Sequence, residues 1–255
     1  MSLTSAVHVQ AQMPLSNAFA HNDYAHETPL LEALENGFNY VEADVWLIGG
    51  ELYVYHDRPA KPDPSRTLLN LYVKPLLARM KANEGRIFNG YDWPFYLMID
   101  IKSEGVITYR ALYDLVSEHK ALFHTVVYDA FPDRSPVRVF VSGNRPVEEV
   151  LRGPVSWIGL DGRPGDLGKD IGSDRMPVVS DNYWKFSAWR GVGEMKEEYK
   201  SKIRKFVDEA HLEGKKVRLW GHPDTEKVWK QLLELGVDLI NTDRLAEYRQ
   251  FVLNE

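Results

Sequence analysis

The sequence predicts a single α/β domain, a (β/α)8 TIM barrel. Short apolar runs of strand length alternate along the chain with amphipathic stretches of helix length, a pattern typical of parallel βαβ units. The runs number eight, as a closed barrel requires, and 255 residues fit one barrel of ordinary size. A doubly wound open sheet is the alternative fold, although no glycine-rich dinucleotide-binding motif follows the first run.

Composition narrows the class of protein further. With 44% hydrophobic and 27% charged residues the chain is an ordinary globular protein, which excludes disorder, collagen-like repeats and coiled coil. A formal charge of −6 without a long basic run argues against general nucleic-acid binding. The absence of cysteine excludes disulfides, thiolate metal sites and cysteine nucleophiles, and no apolar stretch of about 18 residues predicts a transmembrane helix.

The strands are predicted from short runs of apolar, mostly β-branched or aromatic residues. The eight candidates are Ala18–His21, Tyr40–Trp46, Phe95–Ile101, Val137–Val141, Trp157–Leu160, Pro177–Ser180, Val217–Trp220 and Leu239–Asn241. Gly49 and Gly50 separate two β-rich segments, VEADVWLI and ELYVYHD, which predicts a β-hairpin inserted after the second strand.

Candidate helices lie between most of the strands. They are Thr28–Asn36, Thr67–Ala82, Ile107–Phe123, Val147–Leu151, Met195–Leu212, Thr225–Leu235 and Leu245–Leu253. The first begins with Thr28-Pro29, a good cap and first-turn pair, and ends before Gly37, a typical helix stop. We therefore expect one barrel domain over residues 17–255, preceded by an N-terminal tail of residues 1–16.

The sequence of the N-terminal tail is relevant to the cellular location of the protein. Val9-Gln10-Ala11 fits the small-residue pattern that precedes a signal-peptide cleavage site, which would indicate a protein exported to the periplasm or cell exterior. A frayed N-terminus of a cytoplasmic protein is the other interpretation.

Polar residues end three successive strands. They are His21 and Asn22 after the first strand, Glu42 and Asp44 in the second, His56 after the hairpin, and Asp100 and Lys102 in the third. Active sites of such barrels lie at the carboxyl ends of the strands, and residues two apart in a strand share a face. We therefore expect these side chains to meet in one pocket.

Three carboxylates cannot share a pocket unpaired, because like charges raise one another's pKa. A divalent cation with oxygen ligands, Mg²⁺ or Ca²⁺, removes that conflict. Two histidines then supply a general acid and a general base, and Lys102 adds a fixed positive charge. This set suits an anionic group that gains charge during reaction, and phosphodiester cleavage fits best.

The stretch FAHNDYAHETPLLEALENGFNYVEADVWLIGGELYVYHDRP resembles the N-terminal signature of the phospholipase-C-like phosphodiesterase superfamily. That superfamily of barrels includes glycerophosphodiester phosphodiesterases, phosphoinositide phospholipases C and sphingomyelinases D. The segment LGVDLINTDR resembles its last strand. The HNDY motif followed by Glu-x-Asp also resembles a branch related to a fungal mitochondrial-inheritance family.

The resemblance implies a role for each candidate. His21 and His56 would be the acid–base pair, and Lys102 would contact the phosphate. Glu42, Asp44 and Asp100 would bind one divalent cation. Asn22 stands where glycerophosphodiesterases have arginine; the eukaryotic phospholipases C carry His-Asn there, which implies that Asn22 is a fourth metal ligand.

Two further strand-end residues are candidates for substrate binding. Asn144, in VSGNRP, could reach the pocket or belong to a plain turn, and Trp220 could pack over the substrate or fill space at the barrel rim. The substrate is expected to be a small-molecule or lipid phosphodiester, which would place the protein in lipid metabolism. Two alternatives stay open: cleavage by intramolecular cyclisation as in sphingomyelinase D, and non-catalytic binding of a phosphorylated ligand. A glycosidase is a weaker alternative, because it would not explain two histidines and Asp-x-Lys.

Overall fold

The computed structural model describes residues 13–123, 126–127, 135–152 and 155–255. Eleven strands are present in this part of the chain: β1 (Leu15–Ala20), β2 (Phe38–Ile48), β3 (Glu51–Val54), β4 (Phe95–Ile101), β5 (Val126–Val127), β6 (Val137–Gly143), β7 (Val155–Ser156), β8 (Ile158–Gly162), β9 (Val178–Asn182), β10 (Lys216–Trp220) and β11 (Leu239–Thr242). The helices are α1 (Leu31–Glu35), α2 (Lys74–Ala82), α3 (Gly105–Glu118), α4 (Val147–Val150), α5 (Glu197–Leu212), α6 (Glu226–Glu234) and α7 (Leu245–Asn254).

The eight predicted strands close into a parallel barrel. Their order is β1-β2-β4-β6-β8-β9-β10-β11, and β11 pairs with β1 to complete the circle. Because β1 has a parallel neighbour on each side, the sheet has no open edge there, and the doubly wound alternative is wrong. The predicted (β/α)8 fold is confirmed.

The predicted hairpin is also confirmed. β3 pairs antiparallel with the end of β2, with Val45 opposite Val54 and Ile48 opposite Glu51. The two residues of the turn, Gly49 and Gly50, have φ angles of 60° and 90°. A two-residue hairpin turn of this type needs positive φ at both positions, which glycine adopts at little cost.

One predicted helix is divided in the structure. Residues predicted as a single helix, Thr67–Ala82, form a wide π-helical turn over Leu69–Val73 that continues into α2. Pro75 has no N–H to donate to the preceding turn, so the regular hydrogen-bond ladder is interrupted where the two pieces meet.

The barrel interior has two layers that follow from the two-residue period of a strand. An apolar layer is formed by one buried cluster: Phe19, Tyr40, Met98, Phe140, Val178 and Leu239. Two residues further along six strands a polar layer follows, made by His21, Glu42, Asp100, Ser142, Ser180 and Asn241. The apolar layer closes the barrel, and the polar layer faces its carboxyl-terminal mouth.

The barrel begins slightly earlier than the sequence predicts. β1 starts at Leu15, whose N–H donates to the carbonyl of Gly37 at 2.7 Å, so the barrel includes two residues assigned to the tail. Val9-Gln10-Ala11 lie outside the described residues. Among the helices of the described residues, none combines the length and the apolar character that crossing a membrane requires.

Candidate active site

Three carboxylates converge at the carboxyl ends of β2 and β4. Asp44 and Asp100 are direct neighbours in the parallel pairing of these strands, and Glu42 precedes Asp44 on the same face. One oxygen of each carboxylate can be chosen so that all three lie within 4.8 Å of one another. Glu42 and Asp44 are buried, and Asp100 is half-buried. The structure therefore brings together the three side chains that the sequence predicts as metal ligands.

The oxygen atoms of the cluster are suited to bind a divalent cation. Oε2 of Glu42 and Oδ1 of Asp44 are buried and accept no hydrogen bond from the described residues, and Oδ1 of Asp100 is buried with Nζ of Lys102 as its neighbour at 3.2 Å. Burial raises the pKa of both Glu42 and Asp100, because it disfavours their charged forms. A hard cation would satisfy the three oxygens and keep the carboxylates ionised.

Lys102 lies beside the cluster as a fixed positive charge. Its Nζ is 3.1 Å from Oδ2 of Asp44 and 3.2 Å from Oδ1 of Asp100. Burial lowers the pKa of Lys102, but the two carboxylates outweigh it and bring the pKa above its ordinary value. The ammonium is therefore charged at neutral pH.

His21 is held by an aspartate from the opposite end of the chain. Its Nδ1 lies 2.8 Å from Oδ1 of Asp243, just after β11, and its Nε2 lies 3.8 Å from Oε2 of Glu42. Burial lowers the pKa of His21, but the hydrogen bond to Asp243 and the charge of Glu42 outweigh it, so the pKa is raised overall. Because Asp243 accepts the proton on Nδ1, Nε2 is the nitrogen that is free toward the cluster.

His56 reaches the cluster from the other side, on the segment that follows the hairpin. Its Nδ1 lies 2.9 Å from Oδ2 of Asp44, and its side chain is 65% exposed. Both histidines thus use Nδ1 to contact a carboxylate and leave Nε2 available for chemistry.

Asn22 lies in the left-handed region, at φ 47°, directly after His21. Its Oδ1 is 2.7 Å from the hydroxyl of Tyr24, and its Nδ2 donates to Oδ1 of Asp243 at 3.4 Å. Tyr24 has one hydroxyl proton, and the carboxylate of Asp44 is the stronger acceptor for it, so Oδ1 of Asn22 is not committed to Tyr24. The role of Asn22 as a metal ligand stays a prediction.

Arg218 is a buried site residue that the sequence reasoning missed. Its Nη1 lies 3.6 Å from Oε2 of Glu42, and its Nη2 lies 3.8 Å from Oδ2 of Asp161. Its guanidinium donates to Ser180 and Asn241 at 3.0 and 2.9 Å. The sequence did contain one signal for this residue: an arginine inside the apolar strand VRLW, two residues before Trp220 and therefore on the same face of the strand.

Gly143 is a second missed residue, and it shapes the site by lacking a side chain. Its φ is +66°, and a Cβ there would overlap Oδ1 of Asp100 and the carbonyl oxygen of Ile101. Asp100 can occupy its place at the cluster only because position 143 has no side chain.

Both candidate substrate-binding residues, Asn144 and Trp220, lie at the mouth of the barrel, but their contacts differ. Nδ2 of Asn144 donates to the carbonyls of Lys102 and Ser103 at 3.2 and 3.0 Å, so this amide braces the loop after β4. Trp220 ends β10 and is 37% exposed, with Asn182 of β9 as its neighbour in the sheet. A substrate contact for either residue stays a prediction.

A family model described as the AIM6-like phosphodiesterase domain matches residues 8–155, and one described as the glycerophosphoryl diester phosphodiesterase family matches residues 216–246. The proteins named Altered inheritance of mitochondria protein 6 from Eremothecium gossypii and Lachancea thermotolerans are 29% and 28% identical to the chain. These matches cover 93% and 89% of the chain, which spans 69% and 63% of the two relatives.

Among solved structures, a glycerophosphodiester phosphodiesterase from Parabacteroides distasonis has the same fold. Its TM-score is 0.59 at 17% identity, and the match covers 95% of this chain and 98% of that one. The family models and the fungal relatives confirm the predicted resemblance, including the fungal branch, and the solved structure confirms the fold. The relatives' name concerns mitochondria and gives the prediction of export no support.

Proposed function

The chain belongs to the AIM6-like phosphodiesterase family and is a phosphoric diester hydrolase, and we propose that it cleaves glycerophosphodiesters or phospholipid-type diesters with the help of one divalent cation. The observation that carries the proposal is the set of three buried carboxylate oxygens of Glu42, Asp44 and Asp100, which lie close together between two oriented histidines. Those of Glu42 and Asp44 accept no hydrogen bond from the described residues.

The charge of the cluster supports an anionic substrate. Three carboxylates face two cationic side chains, Lys102 and Arg218, so the cluster alone carries one net negative charge. Asp161, which also contacts Arg218, is balanced by Arg163 at 2.7 Å. A divalent cation reverses the sign of the cluster to one positive charge. A phosphodiester carries one negative charge and would neutralise it.

Glu42, Asp44 and Asp100 would hold the cation, with Asn22 as the predicted fourth ligand. When bound, Mg²⁺ or Ca²⁺ supplies stabilisation of the charge that develops on the phosphate oxygens. Lys102 adds a hydrogen-bond donor and a full positive charge beside the same oxygens.

The two histidines would move the protons. His21, whose Nδ1 proton is held by Asp243, has Nε2 free to accept a proton from the nucleophile. The nucleophile is water or a neighbouring hydroxyl of the substrate, and the hydroxyl would give a cyclic phosphate first. His56 is largely exposed on the other side of the cluster, where it can protonate the leaving alcohol oxygen.

Two residues at the mouth are proposed to contact the alcohol parts of the substrate. Trp220 offers an exposed indole face to an apolar or cationic group. Asn144 lies beside the loop of Lys102 and can present its amide oxygen, since its nitrogen is engaged by backbone carbonyls.

The proposal is tested by hydrolysis of bis-p-nitrophenyl phosphate with and without EDTA, followed by addition of Mg²⁺ or Ca²⁺. We expect chelation to abolish turnover, the cation to restore it, and Asp44→Asn to lose both cation affinity and rate. Asp208→Asn, which changes an exposed carboxylate on α5, is the control. Undiminished turnover in excess EDTA would contradict the requirement for a cation. Binding of phosphate without turnover of any diester would favour the alternative of a non-catalytic phosphate-binding protein.

Phosphorus NMR of the product separates the two chemical routes. A cyclic phosphate indicates attack by a substrate hydroxyl, and a phosphomonoester formed without a cyclic species indicates attack by water.

A further inference from the structure

The hydroxyl of Tyr24 touches groups from three separate segments of the site. It lies 2.7 Å from Oδ1 of Asn22, 2.7 Å from Oδ2 of Asp44 and 3.2 Å from Nδ1 of His56. These partners belong to the loop after β1, to β2 and to the segment after the hairpin. A single buried phenol therefore connects the metal cluster to a candidate acid–base residue.

The two oxygens of Asp44 have different surroundings because of this contact. Oδ2 is surrounded by Tyr24, His56 and Lys102 at 2.7, 2.9 and 3.1 Å. Oδ1 is buried and accepts no hydrogen bond from the described residues. Groups that occupy Oδ2 fix the rotation of the carboxylate, and the rotation decides where Oδ1 points.

His56 depends on the same contact. Its ring is largely exposed, and in the described part of the chain its side-chain hydrogen-bond partners are Asp44 and Tyr24. With both present, the ring plane is fixed by two groups. With Asp44 alone it would be free to swing about one hydrogen bond.

Tyr24 is itself firmly placed. Its side chain is 5% exposed, and its carbonyl accepts a hydrogen bond from Nη2 of Arg66 at 2.9 Å. Nε of Arg66 also donates to the carbonyl of Val54, in β3 of the hairpin, at 3.4 Å. Arg66 thereby ties the loop that carries Tyr24 to the hairpin that precedes His56.

We propose that Tyr24 is a positioning residue: its hydroxyl orients the free oxygen of Asp44 toward the cation and holds the ring of His56 for proton transfer. The inference rests on the proposed function, because it assumes both a cation at the carboxylates and an acid at His56. It goes beyond that function in assigning the geometry of both groups to one hydroxyl.

The test is Tyr24→Phe, which removes only the hydroxyl. Tyr72→Phe is a matched control, since Tyr72 is also buried and donates its hydroxyl to an aspartate of the same loop, Asp23, at 2.7 Å. Binding of Mg²⁺ and Ca²⁺ to substrate-free protein is measured by calorimetry. Turnover is then compared at saturating cation on a diester with an alkyl leaving group and on bis-p-nitrophenyl phosphate, together with thermal unfolding.

We expect Tyr24→Phe to weaken cation binding about 10–100-fold, the usual effect of losing a group that orients a metal ligand. At saturating cation, kcat should fall more for the alkyl leaving group than for p-nitrophenol, because only the alkoxide needs a proton from His56. Tyr72→Phe should lower the melting temperature and leave both quantities unchanged.

Wild-type cation affinity and an unchanged leaving-group ratio in Tyr24→Phe would overturn the inference. Losses of cation affinity and kcat in Tyr72→Phe equal to those in Tyr24→Phe would also overturn it, since the effect would then be a general loosening of the loop. Either result leaves the proposed function standing, provided that the wild-type enzyme binds the cation and turns over. A wild-type protein that does neither would overturn the proposed function itself, and the inference with it.

Discussion

Oδ1 of Asp243 lies 2.8 Å from Nδ1 of His21, although the two residues are 222 positions apart in the chain. The contact exists because β1 and β11 are the strands at which the barrel closes, with Ala20 paired to Thr242. The carboxylate fixes the tautomer of the imidazole, and it stabilises the protonated ring more than the neutral one.

Asp243→Asn should therefore lower kcat about 10²-fold or more, with a smaller change in KM, because an amide can donate to Nδ1 and stabilise the wrong tautomer. Steady-state kinetics on a diester substrate check this. Asp238→Asn is the matched control: Asp238 also lies 2.8 Å from a histidine, His211, but on the surface away from the mouth. Equal kinetics for Asp243→Asn and wild type would remove His21 from the proton-transfer role.

The two histidines should respond differently to the leaving group. His56→Ala should lose about 10²–10⁴-fold on an alkyl diester and far less on bis-p-nitrophenyl phosphate, because p-nitrophenolate departs without a proton. His21→Ala should lose a comparable factor on both substrates, since the base is needed for either. His211→Ala, another histidine paired with a carboxylate, should retain full rates.

The opposite pattern, with His21→Ala rescued by the good leaving group, would exchange the two roles. If both variants kept wild-type rates on both substrates, the chain would use neither histidine for acid–base catalysis.

Gly143→Ala should abolish cation binding, because the added methyl group would occupy the position of Oδ1 of Asp100. Gly193→Ala separates this effect from backbone strain. Gly193 has a similar φ, +62°, but a methyl group added there would have no heavy atom within 4 Å. It should cost about 1 kcal/mol of stability and leave cation binding intact.

Calorimetric titration with Mg²⁺ or Ca²⁺ and denaturant unfolding give the two readouts for these glycine variants. Unchanged cation affinity in Gly143→Ala would show that Asp100 is not needed as a ligand.

Asp23 should make stability fall as the pH rises toward neutrality. Burial raises its pKa from the ordinary 3.8 to about 6, although Tyr72 and the N–H of Leu30 donate to its carboxylate. The folded state therefore binds the proton more tightly than the unfolded chain. Its stabilising contribution is complete below pH 3.8 and is lost as the pH rises through about 6.

The loss is on the order of 3 kcal/mol, from about 1.4 kcal/mol per unit of pKa difference. Asp23→Asn cannot ionise, so its stability relative to wild type should rise by about that amount between pH 4 and pH 7. Urea unfolding at both pH values measures it, with Asp208→Asn on α5 as control. A constant difference between wild type and Asp23→Asn across this range would contradict the prediction.

The sequence by itself determined the barrel and the side chains that each strand presents at its end. Alternation of strands and helices is a local pattern, and so is the two-residue period that places Glu42 and Asp44 on one face. The hairpin at Gly49-Gly50 could be predicted for the same reason, because the ability to adopt a positive φ belongs to glycine itself. For these features the neighbours in sequence are sufficient.

The tertiary structure alone decided which distant groups act on those side chains. Asp243 reaches His21 only when the barrel closes, and Arg218 reaches Glu42 only across its interior. Gly143 matters because β6 packs beside Asp100, and Tyr24 because its loop folds back over Asp44. These contacts depend on strand register and packing between segments far apart in the chain, which periodicity and composition do not encode.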